Sequence, residues 1–369
     1  MQHGPGVENT LGAIAQAYSE SVPILVLPGG YDRRLAHVDP NFSSPRTMGT
    51  FTKSVEQLTS GAEVANVFRR AFTQLRNGRG GPCVVEIPRH VWAEDVPENF
   101  NYTPVVATRY GPDPAAIGEA ADLIANCKRP VIYAGQGVHY ARAWPQLRAL
   151  AEKIAAPVCT SLEGKSAFPE NHPLALGAGG AAMPRAVRQF LDDADVIIGV
   201  GCSFGETNFG VSMPKGKFII HATIDPKHLN KDIEARVGLI GDAVLTLDAL
   251  LAELTRRMKF PRDLKGKTEE VAAVRDAWLG QWKHKLESNE KPITPYRVIA
   301  ELNRAVDIDN VIITHDAGSP RDQITPFWTS TTPLSYIGWG KTTQLGYGLG
   351  LAMGAKLAHP DKQIGRAHV

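Results

Sequence analysis

Asp195-Val196-Ile197-Ile198-Gly199-Val200-Gly201 decides the fold class. The run after Asp195 is apolar at successive positions, not at alternate ones, so both faces of the strand it forms must be buried. The glycine directly behind it permits an abrupt turn. Pro130-Val131-Ile132-Tyr133-Ala134 repeats the pattern and is followed by Gly135-Gln136-Gly137. Strands buried on both faces belong to parallel sheets covered by helices. Helical periodicity flanks them at 114–127, 143–154, 181–192 and 242–257, with further strands at 157–160 and 217–224. This alternation predicts a doubly wound domain over 110–257.

The same reading extends outward in both directions. On the N-terminal side, a helix over 8–20 carries Leu11, Ile14, Ala15 and Tyr18 on one face. A strand over 23–27 ends at Pro28-Gly29-Gly30, a helix over 61–77 carries Val64, Val67, Phe68, Phe72 and Leu75, and 83–87 is another apolar strand. Residues 93–112 are rich in Pro, Asn and Thr, without a period, and read as a linker. On the C-terminal side, 258–291 is a charged helical connector. Thr294 as N-cap and Pro295 at the first helical position open a helix over 295–304. A strand over 311–314, a loop, a helix over 343–358 and the start of a strand near Lys362 follow. The expected fold is α/β, with three doubly wound parallel-sheet domains of which the first and third are incomplete. Their expected bounds are 1–105, 110–257 and 292–369, with 258–291 as linker.

Composition narrows the function. A chain of 369 residues exceeds one ordinary core. A hydrophobic share of 43% and a charged share of 21% are those of a soluble globular protein. A net charge of +2 argues against nucleic acid or an anionic membrane as the main partner. Neither a membrane-spanning run nor a signal peptide is legible, so a cytoplasmic protein is expected. Cys83, Cys127, Cys159 and Cys202 are scattered without CxxC spacing, which predicts reduced thiols and no metal or disulfide framework. The histidines do not cluster, and no Ser-His-Asp or Gly-x-Ser-x-Gly arrangement supports a hydrolase.

Several loops have both a ligand reading and a plain turn reading. Gly4-Pro5-Gly6 with Asn9 opens a helix whose first N–H groups are unpaired; it can dock a polar ligand or simply start the helix. Gly135-Gln136-Gly137 and Gly201 lie at carboxyl ends of strands, where doubly wound folds bind ligands, but Tyr140 breaks the Gly-x-Gly-x-x-Gly pattern. Asp225-Pro226 can receive a ribose hydroxyl or cap a turn. In Asp316-Ala317-Gly318-Ser319-Pro320, Gly318 and Ser319 can meet an anion, with Arg321 adding charge; Ser319 can equally serve as N-cap before Pro320. The run Thr343-Gln344-Leu345-Gly346-Tyr347-Gly348-Leu349-Gly350 reads as a glycine-rich turn feeding a tightly packed helix.

Taken together these segments resemble the thiamine-diphosphate-dependent enzymes of the acetolactate synthase group. The resemblance covers essentially the whole chain. It rests on His3-Gly4-Pro5-Gly6 with Asn9, Gly81-Pro82 to Ile87-Pro88, Glu163-Gly164-Lys165 through Pro169-Glu170 and His172-Pro173, Ala194-Asp195 to Gly201, Ile224-Asp225-Pro226, Gly241-Asp242-Ala243, and Leu345-Gly346-Tyr347-Gly348 through Gly354-Ala355. It implies a cofactor, thiamine diphosphate with Mg2+, held between the first domain of one subunit and the third domain of another, hence a homodimer or homotetramer. It further implies that Gly4, Pro5, Gly6 and Asn9 form the pyrimidine-side loop and that Gly318 and Ser319 touch the diphosphate. Leu345 would prop the bent cofactor, and the Thr343 carbonyl would accept from its amino group. The substrates would be 2-oxo acids, decarboxylated or ligated by a transferase or lyase.

The resemblance has limits. The family's activating glutamate and its metal-binding Gly-Asp-Gly motif fall outside this chain, so no catalytic residue and no metal ligand is assigned. Gly365-Arg366-Ala367-His368-Val369 does not match the family continuation. A piece that is inactive by itself is therefore expected. The turn Gly201-Cys202-Ser203-Phe204-Gly205-Glu206-Thr207 lacks the arginines of flavin-binding members, and Gln136 replaces a glycine, which argues against FAD. Ser319-Pro320 stands where acetolactate synthases commonly have Gln-His. The alternative reading is a non-catalytic α/β protein that binds ADP or FAD.

Overall fold

The computed structural model describes residues 1–338, 341–342 and 344–367. The chain forms two compact units, Met1–Arg109 and Tyr110–Val369. The fold is mixed α/β, and among the described residues every strand pair is parallel.

The first unit contains α1 (Pro5–Glu8), α2 (Leu11–Ser19), β1 (Leu25–Val26), β2 (Gly29–Gly30), α3 (Ser44–Met48), β3 (Ser54–Gln57), α4 (Val64–Arg76) and β4 (Cys83–Pro88). Strand β4 is buried along its whole length because β1, β2 and β3 all pair with it. The expected single helix over 8–20 is two helices, broken at Asn9-Thr10. Tyr18 is exposed, and the buried face of α2 runs through Ile14, Gln16 and Ala17. Gly29-Gly30, expected to end a strand, forms one of its own. A Cβ at position 30 would lie 2.8 Å from the Glu86 carboxyl, so any larger residue there would have to displace that buried side chain. Glu86 itself is buried and accepts hydrogen bonds from Ser44 N–H and the Gln57 amide.

The second unit begins with α5 (Pro114–Asn126), β5 (Pro130–Ala134), α6 (Gly137–Ala141), α7 (Trp144–Lys153), β6 (Val158–Thr160), β7 (Ala175–Ala178), α8 (Arg185–Asp193), β8 (Val196–Val200), β9 (Phe218–Thr223), β10 (Val237–Ile240) and α9 (Ala243–Arg257). The strand order β10-β9-β8-β5-β6-β7 reverses between β5 and β8. Side chains alternate across a strand. Ile132, Ala134, Ile198 and Val200 therefore face α5, α7 and α9, whereas Val131, Tyr133 and Ile197 face α8. Both faces of the sheet are covered, as the continuous apolar runs require. Asp242 caps α9 by accepting from the Val244 and Leu245 N–H groups.

The rest of the second unit holds α10 (Leu264–Leu286), α11 (Pro295–Ala305), β11 (Val311–His315), α12 (Ser319–Phe327), β12 (Tyr336–Ile337), α13 (Tyr347–Ala358) and β13 (Gln363–Ala367). Thr294 caps α11 through the Arg297 N–H, as its sequence predicts. A three-stranded sheet in the order β12-β11-β13 centres on β11. Its core is Ile299, Val311, Ile313, Ile324, Trp328 and Tyr336. The helix expected over 343–358 starts only at Tyr347, because the glycine-rich run before it is its turn. No described helix is long and apolar enough to cross a membrane.

Candidate functional site

The best-organised loops sit at the carboxyl end of β11. Asp316 follows the strand and is largely buried. One oxygen of its carboxylate accepts from Ala317 N–H at 2.9 Å and Gly346 N–H at 3.2 Å. The other accepts from the Arg366 guanidinium at 3.2 Å. Burial acts to raise the Asp316 carboxyl, but these donors outweigh it and hold the group below the usual carboxylate range. A single side chain thus ties together the turns that open α12 and α13.

Both turns are built on left-handed glycines, Gly318 at φ 78° and Gly346 at φ 81°. A Cβ at either would meet nothing within 4 Å. The left-handed backbone, not a neighbouring group, therefore requires glycine there. Gly318, not Ser319, occupies the N-cap of α12, and Ser319 is the first helical residue with Pro320 second. The expectation of a serine cap fails because the chain must pass through positive φ at the cap, which glycine does without strain. Gly318, Ser319 and Leu345 are all exposed, with Leu345 at 80%. Two helix N-termini therefore open to solvent on either side of one carboxylate, and the positive end of a helix dipole favours an anion such as a phosphate oxygen.

Arg321 does not add charge to this loop. It is 4% exposed, its Nε donates to Asp322 at 2.7 Å, and its guanidinium lies 4.3 Å from the centre of the Phe209 ring. On a helix that begins at Ser319, position 321 turns toward the interior. Thr343, expected to offer its carbonyl, lies outside the described residues. Leu345, Leu349, Met353 and Leu357 form an exposed apolar stripe at a spacing of four, along and just before α13.

The first unit holds the remaining candidates. Gly4, at φ 63°, is the N-cap of α1, and its carbonyl accepts from Val7 and Glu8. A Cβ on Gly4 would lie 3.1 Å from the Tyr31 hydroxyl, so the turn packs on that ring. Pro5 and Asn9 are exposed, and the Asn9 N–H closes the short helix on the Pro5 carbonyl. Gly4, Pro5, Gly6 and Asn9 are thus one local cluster in one unit, and Gly318, Ser319 and Leu345 are another in the second.

The switch point of the six-stranded sheet is packed shut. Gly135 N–H donates to the Val200 carbonyl at 2.9 Å and Gly137 N–H to the Gly201 carbonyl at 2.8 Å. A Cβ on Gly135 would lie 2.5 Å from the Cys202 Cα, and one on Gly137 would lie 2.7 Å from the Gly201 Cα. Phe204 stacks on Tyr133 beside this contact and meets His221 edge-on. These glycines serve close packing between the two loops. Asp225 accepts from Lys227 N–H and caps a short turn.

Sequence reasoning missed the residues that brace the second cluster. Asp316 was legible only as a position in a motif, since its partners Gly346 and Arg366 are remote in sequence. His315 is buried and donates from Nδ1 to the Asp316 carbonyl; burial lowers its pKa to about 4. Among the described residues no group of three His, Cys, Asp or Glu side chains could hold a metal ion.

The family model described as thiamine pyrophosphate enzyme, central domain, matches residues 117–250. The one described as thiamine pyrophosphate enzyme, C-terminal TPP binding domain, matches 316–365, a span that begins at Asp316. The chain belongs to the thiamine pyrophosphate enzymes. It is 33% identical over 381 residues to the probable acetolactate synthase large subunit of Methanocaldococcus jannaschii, covering 98% of this chain and 63% of that protein. It is 29% identical over 387 residues to the isozyme 3 large subunit of Escherichia coli acetolactate synthase, covering 98% of this chain and 64% of that one. The chain thus spans less than two thirds of the length of these relatives. Among solved structures, benzoylformate decarboxylase from Polynucleobacter necessarius matches with a TM-score of 0.79 at 20% identity, over 99% of this chain and 67% of that one; the likeness is one of fold.

Proposed function

We propose that this chain carries thiamine-diphosphate-binding elements of an acetolactate synthase-like enzyme that decarboxylates or ligates 2-oxo acids, in the transferase or lyase class. The observation that carries the reading is the pair of open glycine turns, Gly318-Ser319 and Leu345-Gly346, braced by Asp316. In this reading the N–H groups of the first turn of α12 and the Ser319 hydroxyl bind diphosphate oxygens, with Mg2+ as their counter-ion. Leu345 props the cofactor, and Thr343 offers it a carbonyl. Gly4, Pro5, Gly6 and Asn9 receive the pyrimidine of a cofactor shared between subunits. When bound, the cofactor supplies a carbon nucleophile for the carbonyl of the 2-oxo acid. The protein orients that group and excludes water from it.

The exposed apolar stripe of α13 supports a homodimer or homotetramer, because a surface stripe of this kind marks an interaction face. We assign the protein to the cytoplasm on its overall composition. The nucleotide alternative finds less support, since the Gly135 and Gly137 N–H groups are already bonded to β8 and its turn.

Calorimetric titration tests the reading. Thiamine diphosphate with Mg2+ should bind saturably. Leu345→Ala should weaken binding roughly tenfold or more while leaving stability within about 0.5 kcal/mol, as a residue this exposed allows. Saturable ADP or FAD binding without any response to thiamine diphosphate would reverse the assignment.

A further inference from the structure

Lys165 is 1% exposed, one of the most deeply buried large side chains in the protein. Its ammonium lies 2.5 Å from each Glu170 oxygen and 2.8 Å from the Trp328 carbonyl, with the Tyr336 ring centre at 5.2 Å. Glu170 also accepts from Ser330 N–H at 2.7 Å, and its own N–H donates to the Ser330 carbonyl at 2.8 Å. Residues 165–170 connect β6 to β7 of the six-stranded sheet. Trp328 and Ser330 follow α12, which starts at the Gly318-Ser319 turn. Trp328 is the C-cap residue of α12, so the ammonium faces the negative end of that helix.

The near end of this contact is rigid. Gly164 admits no side chain, because a Cβ there would lie 2.5 Å from the Ala134 carbonyl oxygen at the end of β5. The Lys165 carbonyl accepts from His139 Nε2, and the opposite ring nitrogen of His139 accepts from the Trp144 indole. These two partners fix one tautomer. Burial pushes the Lys165 ammonium below its usual range, against the pull of Glu170. A buried ion pair is a poor means of gaining stability, since well-packed neutral residues are often as stable. What such a pair supplies beyond stability is a fixed geometry.

We propose that the Lys165–Glu170 pair is a positioning device that fixes the C-terminal end of α12 against the six-stranded sheet and thereby aims the Gly318-Ser319 turn. At 1.5 Å per residue the nine residues of α12, with Pro326 in their last turn, span roughly 13 Å, so displacing the C-terminal end shifts the helix that carries the Gly318-Ser319 turn. Misplacement by about 1 Å is enough to cost on the order of 100-fold at a reacting centre. The tether stands on the contacts alone; its consequence for cofactor binding rests on the function proposed above.

Hydrogen–deuterium exchange on the full chain separates positioning from stability. The variants are Glu170→Gln, which keeps an acceptor for Ser330, and the double Lys165→Met with Glu170→Gln, which leaves no buried charge. In both, amides of 319–330 should exchange at least roughly tenfold faster than in wild type, as expected when a local closing contact is lost. Those of β5 and β8 should be unchanged. The double variant should also unfold near the wild-type midpoint, which a purely structural role would not combine with a loosened α12. Wild-type exchange over 319–330 in either variant, or equal acceleration in every segment, overturns the tether. Thiamine diphosphate titration forms a second arm. Weakened binding in the double variant, roughly tenfold, supports the aiming step, and unchanged binding with a loosened α12 overturns it. Absence of binding in wild type instead defeats the proposed function, and the exchange arm still decides the tether.

Discussion

Replacing Gly135 by alanine puts a methyl carbon 2.5 Å from the Cys202 Cα and 2.5 Å from the Gly201 carbonyl oxygen. Both are backbone atoms of the turn after β8, so no rotamer change can relieve the clash. Either the loops separate or the Gly135–Val200 and Gly137–Gly201 hydrogen bonds lengthen. Overpacking a close contact costs about 1–3 kcal/mol, and each weakened buried hydrogen bond costs about 1 kcal/mol more. Gly135→Ala should therefore destabilise the second unit by about 2–5 kcal/mol. At roughly 2–4 °C per kcal/mol for a unit of this size, the unfolding midpoint should fall by about 4–20 °C. Gly280 is the control. It is exposed in α10 with nothing within 4 Å of a Cβ, so Gly280→Ala should be stabilising by up to about 1 kcal/mol. The measurement is urea unfolding of each variant followed by far- and near-UV circular dichroism. A Gly135→Ala protein within about 0.5 kcal/mol of wild type would show that the loops do not touch. The switch point would then be open to a nucleotide.

His139 and His315 are buried, and burial lowers both pKa values to about 4 from an ordinary value near 6.5. The unfolded chain binds the extra protons first, so stability is fully present above pH 6.5 and falls toward pH 4, by roughly 3 kcal/mol per histidine. His139→Gln, which can donate to Lys165 and accept from Trp144, should flatten that slope when urea midpoints are measured against pH. Burial also pushes the Cys159 and Cys202 thiols up to about 12. Neither should react with a disulfide reagent in the native state, and all four thiols should react after unfolding. Asp316→Ala should cost about 1–3 kcal/mol, because it removes the acceptor of the Gly346 N–H. It should also raise amide exchange selectively at the start of α13.

Legibility in the sequence followed burial. Strands β4, β5 and β8 are buried at every position, and each appears as an unbroken apolar run. The strands not foreseen lie at sheet edges or are two residues long. β3 is half-buried throughout, β10 alternates, β7 has only Leu176 among small residues and β12 is only Tyr336-Ile337. An edge strand needs burial on only part of its surface, so it has no continuous signal to give. The glycine turns of the candidate site were legible because positive φ leaves a trace in residue type. The side chains that brace them were not. Asp316 reaches Gly346 and Lys165 reaches Trp328, and pairings at such separations have no local pattern.

The small third sheet shows why those braces matter. Three strands around a six-residue core make a weak independent unit. Much of its support comes from the side away from the open turns. Trp278 of α10 stacks on Phe327 with ring centres 5.2 Å apart, and Trp282 and Tyr296 meet the same ring edge-on. Asn303 adds amide donors to the Ile299 and Phe327 carbonyls. The last turn of α12 is therefore held by aromatics on one side and by Lys165 and Glu170 on the other. At its start, Gly318 and Ser319 are exposed, while Pro320 and Arg321 behind them are buried. Rigidity is concentrated at the end that carries no candidate chemistry, and Gly318 and Ser319 at the opposite end are exposed. A binding turn needs that division: the exposed end can meet a diphosphate, and a helix loose at its other end could not hold one in register.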